Sequence, residues 1–237
     1  MPNTNKIALI TGASSGIGKS LSLELCKKGY ELILSSRNID LLNKTSDAIS
    51  RLGGKAHIID VDISDDKSVE KLFLKSQKIG FVDVVINNAG FGKFDKIEDL
   101  SIYDWDRQMS INLRGSFLLT KFFSNPMIRN KKGTIVFVNS VAGKKAYPYS
   151  SAYVASKFGL LGFSRSIREE LRKHNIKVIS VHPGAVDTAF WENVDVDFPR
   201  DKMMNSDNVA KTIVHAISAP ENIVLEEIDI QRTEGDF

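Results

Sequence analysis

Seven short apolar runs alternate along the chain with longer segments of helical periodicity. The runs barely alternate polar with apolar residues, which is typical of strands buried on both faces. They lie at 6–11, 31–35, 56–60, 82–86, 134–139, 177–182 and 223–230, and the helical segments lie near 16–28, 38–52, 65–79, 101–129, 151–174 and 206–218. Because strands joined by helical crossovers run parallel, the pattern predicts an α/β fold with a seven-stranded parallel sheet and helices on both faces.

Length and composition limit the possible classes of protein. The 237 residues are enough for one well-filled core, so we expect a single domain over 1–237. The net charge of +3 comes from interleaved acids and bases, which gives no reason to expect nucleic acid as a partner. No apolar run approaches the ~18 residues of a membrane span, and residues 1–6 lack a secretory segment. With Cys26 as the only cysteine, a cytoplasmic protein without internal disulfides is predicted.

The chemically informative residues directly follow predicted strands. Thr11, Asn87, Ser140 and Pro183 each come at such a position. Since the carboxyl ends of parallel strands meet at one edge of a doubly wound, Rossmann-type sheet, these residues are expected to surround a single ligand crevice.

A glycine-rich loop joins the first strand to the first helix. Gly12, Gly16 and Gly18 permit a tight turn that brings helix N–H groups to a phosphate. A second interpretation is a triphosphate-binding loop over residues 13–20, with the strand 57–60 as its magnesium-binding partner. That interpretation leaves the polar groups of the second half of the chain without a role.

The end of the second strand indicates which dinucleotide would bind. It reads Ser35-Ser36-Arg37-Asn38, with an arginine where NAD-binding chains place a carboxylate for the ribose hydroxyl. Guanidinium and hydroxyl groups bind a 2′-phosphate, so Arg37 with Ser15 predicts NADP(H). Asp62 and Ile63, after the third strand, are placed to meet the adenine.

A proton-transfer group is predicted from Tyr153 and Lys157, which lie four residues apart on one helix face. An ammonium group close to the phenol is expected to lower the pKa of Tyr153 to about 7–8. Ser140 supplies a hydroxyl that can orient a carbonyl group. The four histidines are far apart in sequence, so no metal site is predicted.

These motifs together resemble the short-chain dehydrogenase/reductase family over about residues 5–230. The matching segments are Thr11-Gly-Ala-Ser-Ser-Gly-Ile-Gly18, Asp62-Ile-Ser-Asp65, Asn87-Asn-Ala-Gly90, Asn112, Ser140, Tyr153-x-x-x-Lys157 and Pro183-Gly184 followed by Thr188. The resemblance implies an NADP-dependent enzyme acting on a carbonyl or secondary alcohol, with Asn112, Ser140, Tyr153 and Lys157 as its catalytic residues. In this family a residue at the Asn112 position holds a water that links the lysine to solvent.

The resemblance also implies the cofactor contacts and the assembly. The residues expected to contact the cofactor are Gly12, Ser14, Ser15, Gly16, Ile17, Gly18, Arg37, Asp62, Ile63, Asn88, Ala89, Gly90, Tyr153, Lys157, Pro183, Gly184 and Thr188. Members of the family form homodimers or homotetramers through the helices that correspond to 101–129 and 151–174.

The substrate is less closely defined. Aromatic residues and methionines in the crevice loops favour an apolar small-molecule carbonyl compound, and a substrate lid is expected near 185–205. These residues are Phe91, Phe94, Tyr147, Phe190, Trp191, Phe198, Met203 and Met204. A 3-oxoacyl-carrier-protein reductase is the alternative, with a basic rim for an acidic carrier formed by Arg129, Lys131, Lys132, Arg172 and Lys173. A non-catalytic NADP-binding sensor is a further alternative.

Overall fold

The computed structural model describes residues 6–193 and 199–236. Its strands are β1 (Ile7–Thr11), β2 (Glu31–Ser36), β3 (Ala56–Asp60), β4 (Val82–Asn87), β5 (Gly133–Val138), β6 (Ile176–Pro183), β7 (Val186–Asp187), β8 (Met204–Asn205) and β9 (Glu227–Ile230). Within these described ranges, seven of them form one parallel sheet in the order β3-β2-β1-β4-β5-β6-β9. The predicted seven-stranded sheet is therefore confirmed.

Helices cover both faces of this sheet. They are α1 (Gly16–Lys27), α2 (Ile39–Arg51), α3 (Asp66–Ile79), α4 (Ile102–Gln108), α5 (Gly115–Asn130), α6 (Ser151–Arg172) and α7 (Ser206–Ile217). One core lies under α1, α2 and α7, and the other lies under α3, α5 and α6. Successive residues of β1 enter opposite cores: Ala8 and Ile10 enter the first, and Ile7 and Leu9 enter the second. This alternation explains why the strand has no polar face.

Two elements differ from the sequence-based expectation. The helix expected over 101–129 is interrupted by a π-helical segment, Met109–Arg114, between α4 and α5. The last strand begins at Glu227 rather than at 223, and Ile223 and Leu225 are exposed in the preceding loop. Apolar character alone therefore overestimated the length of this edge strand.

The strand order reverses at the middle of the sheet. The chain passes from β1 outward to β2 and β3, and then returns to place β4 on the other side of β1. Diverging crossovers leave a crevice at the carboxyl ends of β1 and β4. In the described part of the chain, no helix has the length and apolar character that crossing a membrane requires.

Candidate active site

A cleft of about 950 Å³ lies along the carboxyl edge of the sheet. All but two of the residues predicted for the site are on its wall. Those on the wall are Gly12, Ser14, Ser15, Gly16, Ile17, Arg37, Asp62, Ile63, Asn88, Ala89, Gly90, Ser140, Tyr153, Lys157, Pro183, Gly184 and Thr188. The two others, Gly18 and Asn112, lie behind it and support it. Segments distant in sequence thus meet at one place, as expected for strand ends in a parallel sheet.

The glycine loop is held against the turn that follows β4. The Thr11 hydroxyl accepts hydrogen bonds from the N–H groups of Asn88 and Ala89, each at 3.1 Å, and the Asn88 amide donates to the Thr11 carbonyl at 2.9 Å. Gly12 has a φ of +66°, and a Cβ on Gly18 would lie 2.2 Å from the Gly12 carbonyl oxygen. The spacing of the glycines therefore reflects both backbone conformation and close packing.

One end of the cleft carries Arg37 and Asp62. The Asp62 carboxylate accepts hydrogen bonds from the Ser64 N–H at 3.0 Å and from its hydroxyl at 2.6 Å. Burial opposes ionisation of Asp62, but these bonds and the charges of Arg37 and Arg107 outweigh burial and hold its pKa below the usual value. No carboxylate follows β2, because the chain continues there with Arg37 and Asn38. This end can therefore accept an anionic group beside Arg37.

The other end carries Ser140, Tyr153 and Lys157. Ser140 precedes a short 3-10 helix, Val141–Gly143, and its hydroxyl is hydrogen bonded to the Tyr153 phenol. Lys157 is 4% exposed, and its ammonium group donates to the Val138 carbonyl at 3.1 Å and lies 5.6 Å from the centre of the Tyr153 ring. These three groups form a connected arrangement of one acid, one hydroxyl and one buried cation.

The pKa expected for Tyr153 from the sequence is wrong. Burial raises the pKa of Tyr153 to about 12, although the hydrogen bond with Ser140 acts in the opposite direction. Burial also lowers the pKa of Lys157 to about 8, which weakens the cation that was expected to acidify the phenol. The sequence places the two groups on one helix face but does not reveal how little water reaches either of them. Tyr153 is therefore a protonated phenol at neutral pH.

Asn112 lies in the π-helical segment and faces the protein interior rather than the cleft. Its side-chain oxygen accepts from the Phe91 N–H at 2.8 Å, and its nitrogen donates to the Phe91 carbonyl at 2.8 Å and to the Ser156 hydroxyl at 2.9 Å. Ser156 in turn donates to the Tyr153 carbonyl at 2.7 Å. The amide thus connects the turn after β4 to α6, and the π segment supplies the backbone offset that brings it there.

Aromatic rings surround the Tyr153 side chain. Phe94 and Phe190 have ring centres 5.5 and 5.6 Å from that of Tyr153, and Trp191 lies 5.4 Å from Phe190. Phe91, Phe94, Tyr147, Phe190 and Trp191 line the cleft as predicted. Met203 and Met204 do not, since Met203 is buried and Met204 packs against the core of α1 and α7. Phe198 lies outside the described residues.

Sequence reasoning did not identify two charged residues of the cleft wall, Arg107 and Asp236. Arg107 lies on α4, where the sequence contains no motif. Asp236 precedes the last residue, where its carboxylate accepts from the Lys145 ammonium and the Tyr147 hydroxyl, both at 2.8 Å. Nothing in the local sequence around Asp236 shows that this segment returns to the cleft.

The phosphate-loop interpretation does not fit the geometry. The Ser20 hydroxyl, which would bind magnesium, donates to Asp207 at 2.6 Å in the contact between α1 and α7. The Asp60 carboxylate pairs instead with the ammonium groups of Lys71 and Lys75, at 3.6 and 3.8 Å. Among the residues that the structure describes, no cluster of three or more potential ligands could hold a metal ion.

The predicted basic rim is also wrong. Its cations lie in or just after the last turns of α5 and α6, shortly before β5 and β6, and are therefore at the amino edge of the sheet, opposite the cleft. Lys132 pairs there with Asp83 at 2.6 Å, and Arg172 pairs with Glu169 and Glu226 at 2.7 and 2.8 Å. Lys132 and Arg172 thus balance nearby carboxylates, and none of the five cations is on the cleft wall.

Related sequences point to one family. The chain matches the short chain dehydrogenase family over residues 6–197. The sepiapterin reductase of Chlorobaculum tepidum is 38% identical over 239 residues, which cover 98% of each chain. An uncharacterized oxidoreductase of Staphylococcus epidermidis is 28% identical over 228 residues, which cover 95% of this chain and 96% of the relative.

Solved structures give the same result. An alcohol dehydrogenase from the archaeon Thermococcus sibiricus, complexed with 5-hydroxy-NADP, matches with a TM-score of 0.88 and 29% identity over 95% of both chains. A metagenomic short-chain oxidoreductase in complex with NADP matches with a TM-score of 0.86 and 28% identity, over 96% of this chain and 97% of the other. The doubly wound, Rossmann-type fold expected from the sequence is confirmed.

Proposed function

The chain belongs to the short-chain dehydrogenase family, and from that premise we propose that this oxidoreductase is an NADPH-dependent carbonyl reductase with Tyr153 as its proton donor. The observation that carries the proposal is the cleft itself. Ser140, Tyr153 and Lys157 line one end and Arg37 lines the other, with the glycine loop between them. A phenol that stays protonated at neutral pH suits reduction, in which the enzyme must supply a proton.

The described residues fit an NADP-type dinucleotide. At Gly12 a Cβ would approach the Asn88 amide nitrogen to 2.9 Å, so only glycine lets the loop stay this close to the turn after β4 and keep its backbone on the cleft wall. Ser15 precedes α1 without making a side-chain cap, so its hydroxyl and the first N–H groups of the helix can hold phosphate oxygens. Arg37 would bind the 2′-phosphate, and the Ser140 end would hold the nicotinamide. The bound cofactor supplies the hydride that adds to the carbonyl carbon.

The protein groups then provide the proton and stabilise the developing charge. Ser140 orients the carbonyl oxygen with its hydroxyl, and Tyr153 donates its phenolic proton to that oxygen, which yields the alcohol. Lys157 stabilises the phenolate that remains on Tyr153 through its charge. Asn112 is a positioning residue in this account, because its amide fixes the turn at Phe91 and the Ser156 hydroxyl.

A substrate with a planar ring beside its carbonyl group is the second part of the proposal. Phe94, Phe190 and Trp191 place aromatic faces and edges next to the Tyr153 phenol. One relative is named a sepiapterin reductase, and sepiapterin is a ketone attached to a flat heterocycle, which would suit such a wall. We therefore place sepiapterin-like ketones first among the candidates, ahead of aliphatic ketones and diketones.

The test is a panel of carbonyl compounds with purified protein and NADPH, followed by the loss of NADPH absorbance. The panel consists of sepiapterin, aryl ketones, aliphatic diketones, steroids and acetoacetyl thioesters. The proposal predicts turnover of ketones, with the ring-bearing compounds preferred. Preference for the acyl thioester would instead support the carrier-protein reductase. Tight NADPH binding without turnover of any compound would support the sensor.

A further inference from the structure

Arg107 and Phe91 form a stacked pair at the Asp62 end of the cleft. The guanidinium carbon of Arg107 lies 3.9 Å from the centre of the Phe91 ring, and both residues line the cleft together with Ile63 and Ile111. Phe91 is itself fixed, because both of its backbone polar groups bind the Asn112 amide. Arg107 is therefore held by a rigid aromatic neighbour and is half-buried rather than extended into water.

The surroundings of Arg107 differ from those of Arg37. Arg37 is flanked by Ser36 and Asn38, whose polar groups suit a phosphate. The part of the cleft wall that carries Arg107 also carries the apolar side chains of Phe91, Ile63 and Ile111, beside the Asp62 carboxylate, and both isoleucines are only 8% exposed. A planar cation on an apolar wall matches a flat, uncharged heterocycle better than a phosphate, because guanidinium planes stack on aromatic bases.

We propose that Arg107 is a cofactor-binding residue that packs against the adenine ring, with Phe91 as the support that holds its guanidinium group in place. This inference rests on the proposed use of an NADP-type cofactor. It assigns different tasks to the two arginines: Arg37 binds the group that distinguishes NADPH from NADH, whereas Arg107 binds the part that both share. Asp62 lies on the same wall, and its carboxylate can accept a hydrogen bond from the adenine amino group.

The test measures dissociation constants for NADPH and NADH by titration calorimetry, which does not depend on turnover. Arg107→Leu is expected to weaken both cofactors equally, by about 5- to 10-fold. Arg107→Lys keeps the positive charge but not the planar guanidinium group. It is expected to recover less than half of the lost affinity on a logarithmic scale. Arg37→Leu should weaken NADPH alone. Arg51→Leu, on the exposed end of α2 and outside the cleft, serves as the matched control and should change neither constant.

Each other result overturns the assignment. If Arg107→Leu weakened only NADPH binding, Arg107 would be a phosphate ligand. If Arg107→Lys restored the full affinity, the charge of Arg107 rather than its planar shape would bind the cofactor. Unchanged constants with a lower melting temperature would make the pair a structural contact. If the unaltered protein bound neither cofactor, the proposed function itself would fail, which distinguishes that failure from failure of the Arg107 assignment.

Discussion

We predict that the Lys157 ammonium group controls how catalysis responds to pH. Burial lowers the pKa of Lys157 to about 8 and raises that of Tyr153 to about 12, so the lysine loses its proton first as pH rises. We predict that kcat/KM for carbonyl reduction is level near neutrality and falls as pH passes about 8, because the neutral amine no longer stabilises the phenolate. Lys157→Arg, whose side chain stays charged, should shift the fall to higher pH. A wild-type profile level to pH ~10 would contradict this account.

Cofactor preference is expected to depend on Arg37. The Arg37→Asp replacement exchanges a guanidinium group that would bind phosphate for a carboxylate. The carboxylate repels phosphate and can accept a hydrogen bond from a ribose hydroxyl. We predict that kcat/KM for NADPH falls roughly 10- to 100-fold while that for NADH is retained or rises. The matched change Arg51→Asp, which also reverses a surface charge but outside the cleft, should leave the ratio unaltered. An unchanged ratio in the Arg37→Asp protein would show that the arginine is only a surface cation.

The glycine loop acts as a single element in which backbone atoms touch. A Cβ on Gly18 would lie 2.2 Å from the Gly12 carbonyl, so Gly18→Ala must displace the loop or the start of α1. We predict a loss of about 1–3 kcal/mol in unfolding free energy and a roughly tenfold loss in NADPH affinity. Gly29→Ala is the control, since φ is +81° there and no atom lies within 4 Å. It should cost about 1–2 kcal/mol of stability without changing NADPH affinity.

The elements that the sequence predicted well are those whose burial is uniform. β1, β4 and β5 have every residue buried, so their apolar runs coincide with the strands to within about one residue. The π segment was not predictable, because the hydrogen bonds that accompany it join Asn112 to Phe91, 21 residues away in sequence. The small pairing of β7 with β8 was missed because Val186–Asp187 and Met204–Asn205 are too short to show a pattern.

The site divides in a similar way. Motifs at strand ends predicted which residues meet, because a parallel sheet brings its carboxyl ends together. They did not predict the pKa values of Tyr153 and Lys157, which depend on burial by the whole fold. Nor did they predict Arg107 and Asp236, which reach the cleft from a helix and from the end of the chain.

At the scale of the whole molecule, stability is predicted to depend on the buried His182. This side chain is fully buried, its Nδ1 lies 3.2 Å from the Ser140 carbonyl, and its Nε2 has no hydrogen-bond partner among the described residues. Burial and the charge of Lys144 hold the pKa of His182 below its usual value, against the attraction of Asp229 and Glu227.

The sign of the effect follows from proton linkage. The unfolded chain takes up a proton at this histidine as pH falls below about 6.5, whereas the folded chain does not, so stability decreases there. Carboxyl groups whose pKa is lowered in the folded protein, such as that of Glu227, also reduce stability when they are protonated, but only at lower pH. Denaturant unfolding at pH 7 and pH 5.5 should show lower stability at the acid value, and His182→Asn should reduce that difference. If the stability difference between pH 7 and pH 5.5 were equal in the wild type and the His182→Asn protein, the prediction would be contradicted.

Self-association is the second prediction at this scale. The predicted dimer or tetramer would use the helices of the 101–129 and 151–174 segments, where Ile102, Phe117 and Phe158 are 81%, 43% and 45% exposed. Phe158→Asp on α6 should dissociate the assembly, because a charge would be buried at an apolar contact. Leu74→Asp on α3, where the leucine is 55% exposed, is the matched control and should leave the assembly intact. Sedimentation measures both, and a monomeric wild-type protein would refute the assembly.

The central claim is that the Tyr153 phenol gives its proton to the substrate oxygen. The most direct measurement compares wild type and Tyr153→Phe for turnover of the best ketone of the panel and for NADPH binding by calorimetry. The account predicts that kcat falls by about 10²- to 10⁴-fold while the dissociation constant for NADPH changes little, since only the hydroxyl is removed. A variant that retained most of the wild-type kcat would show that another group is the acid.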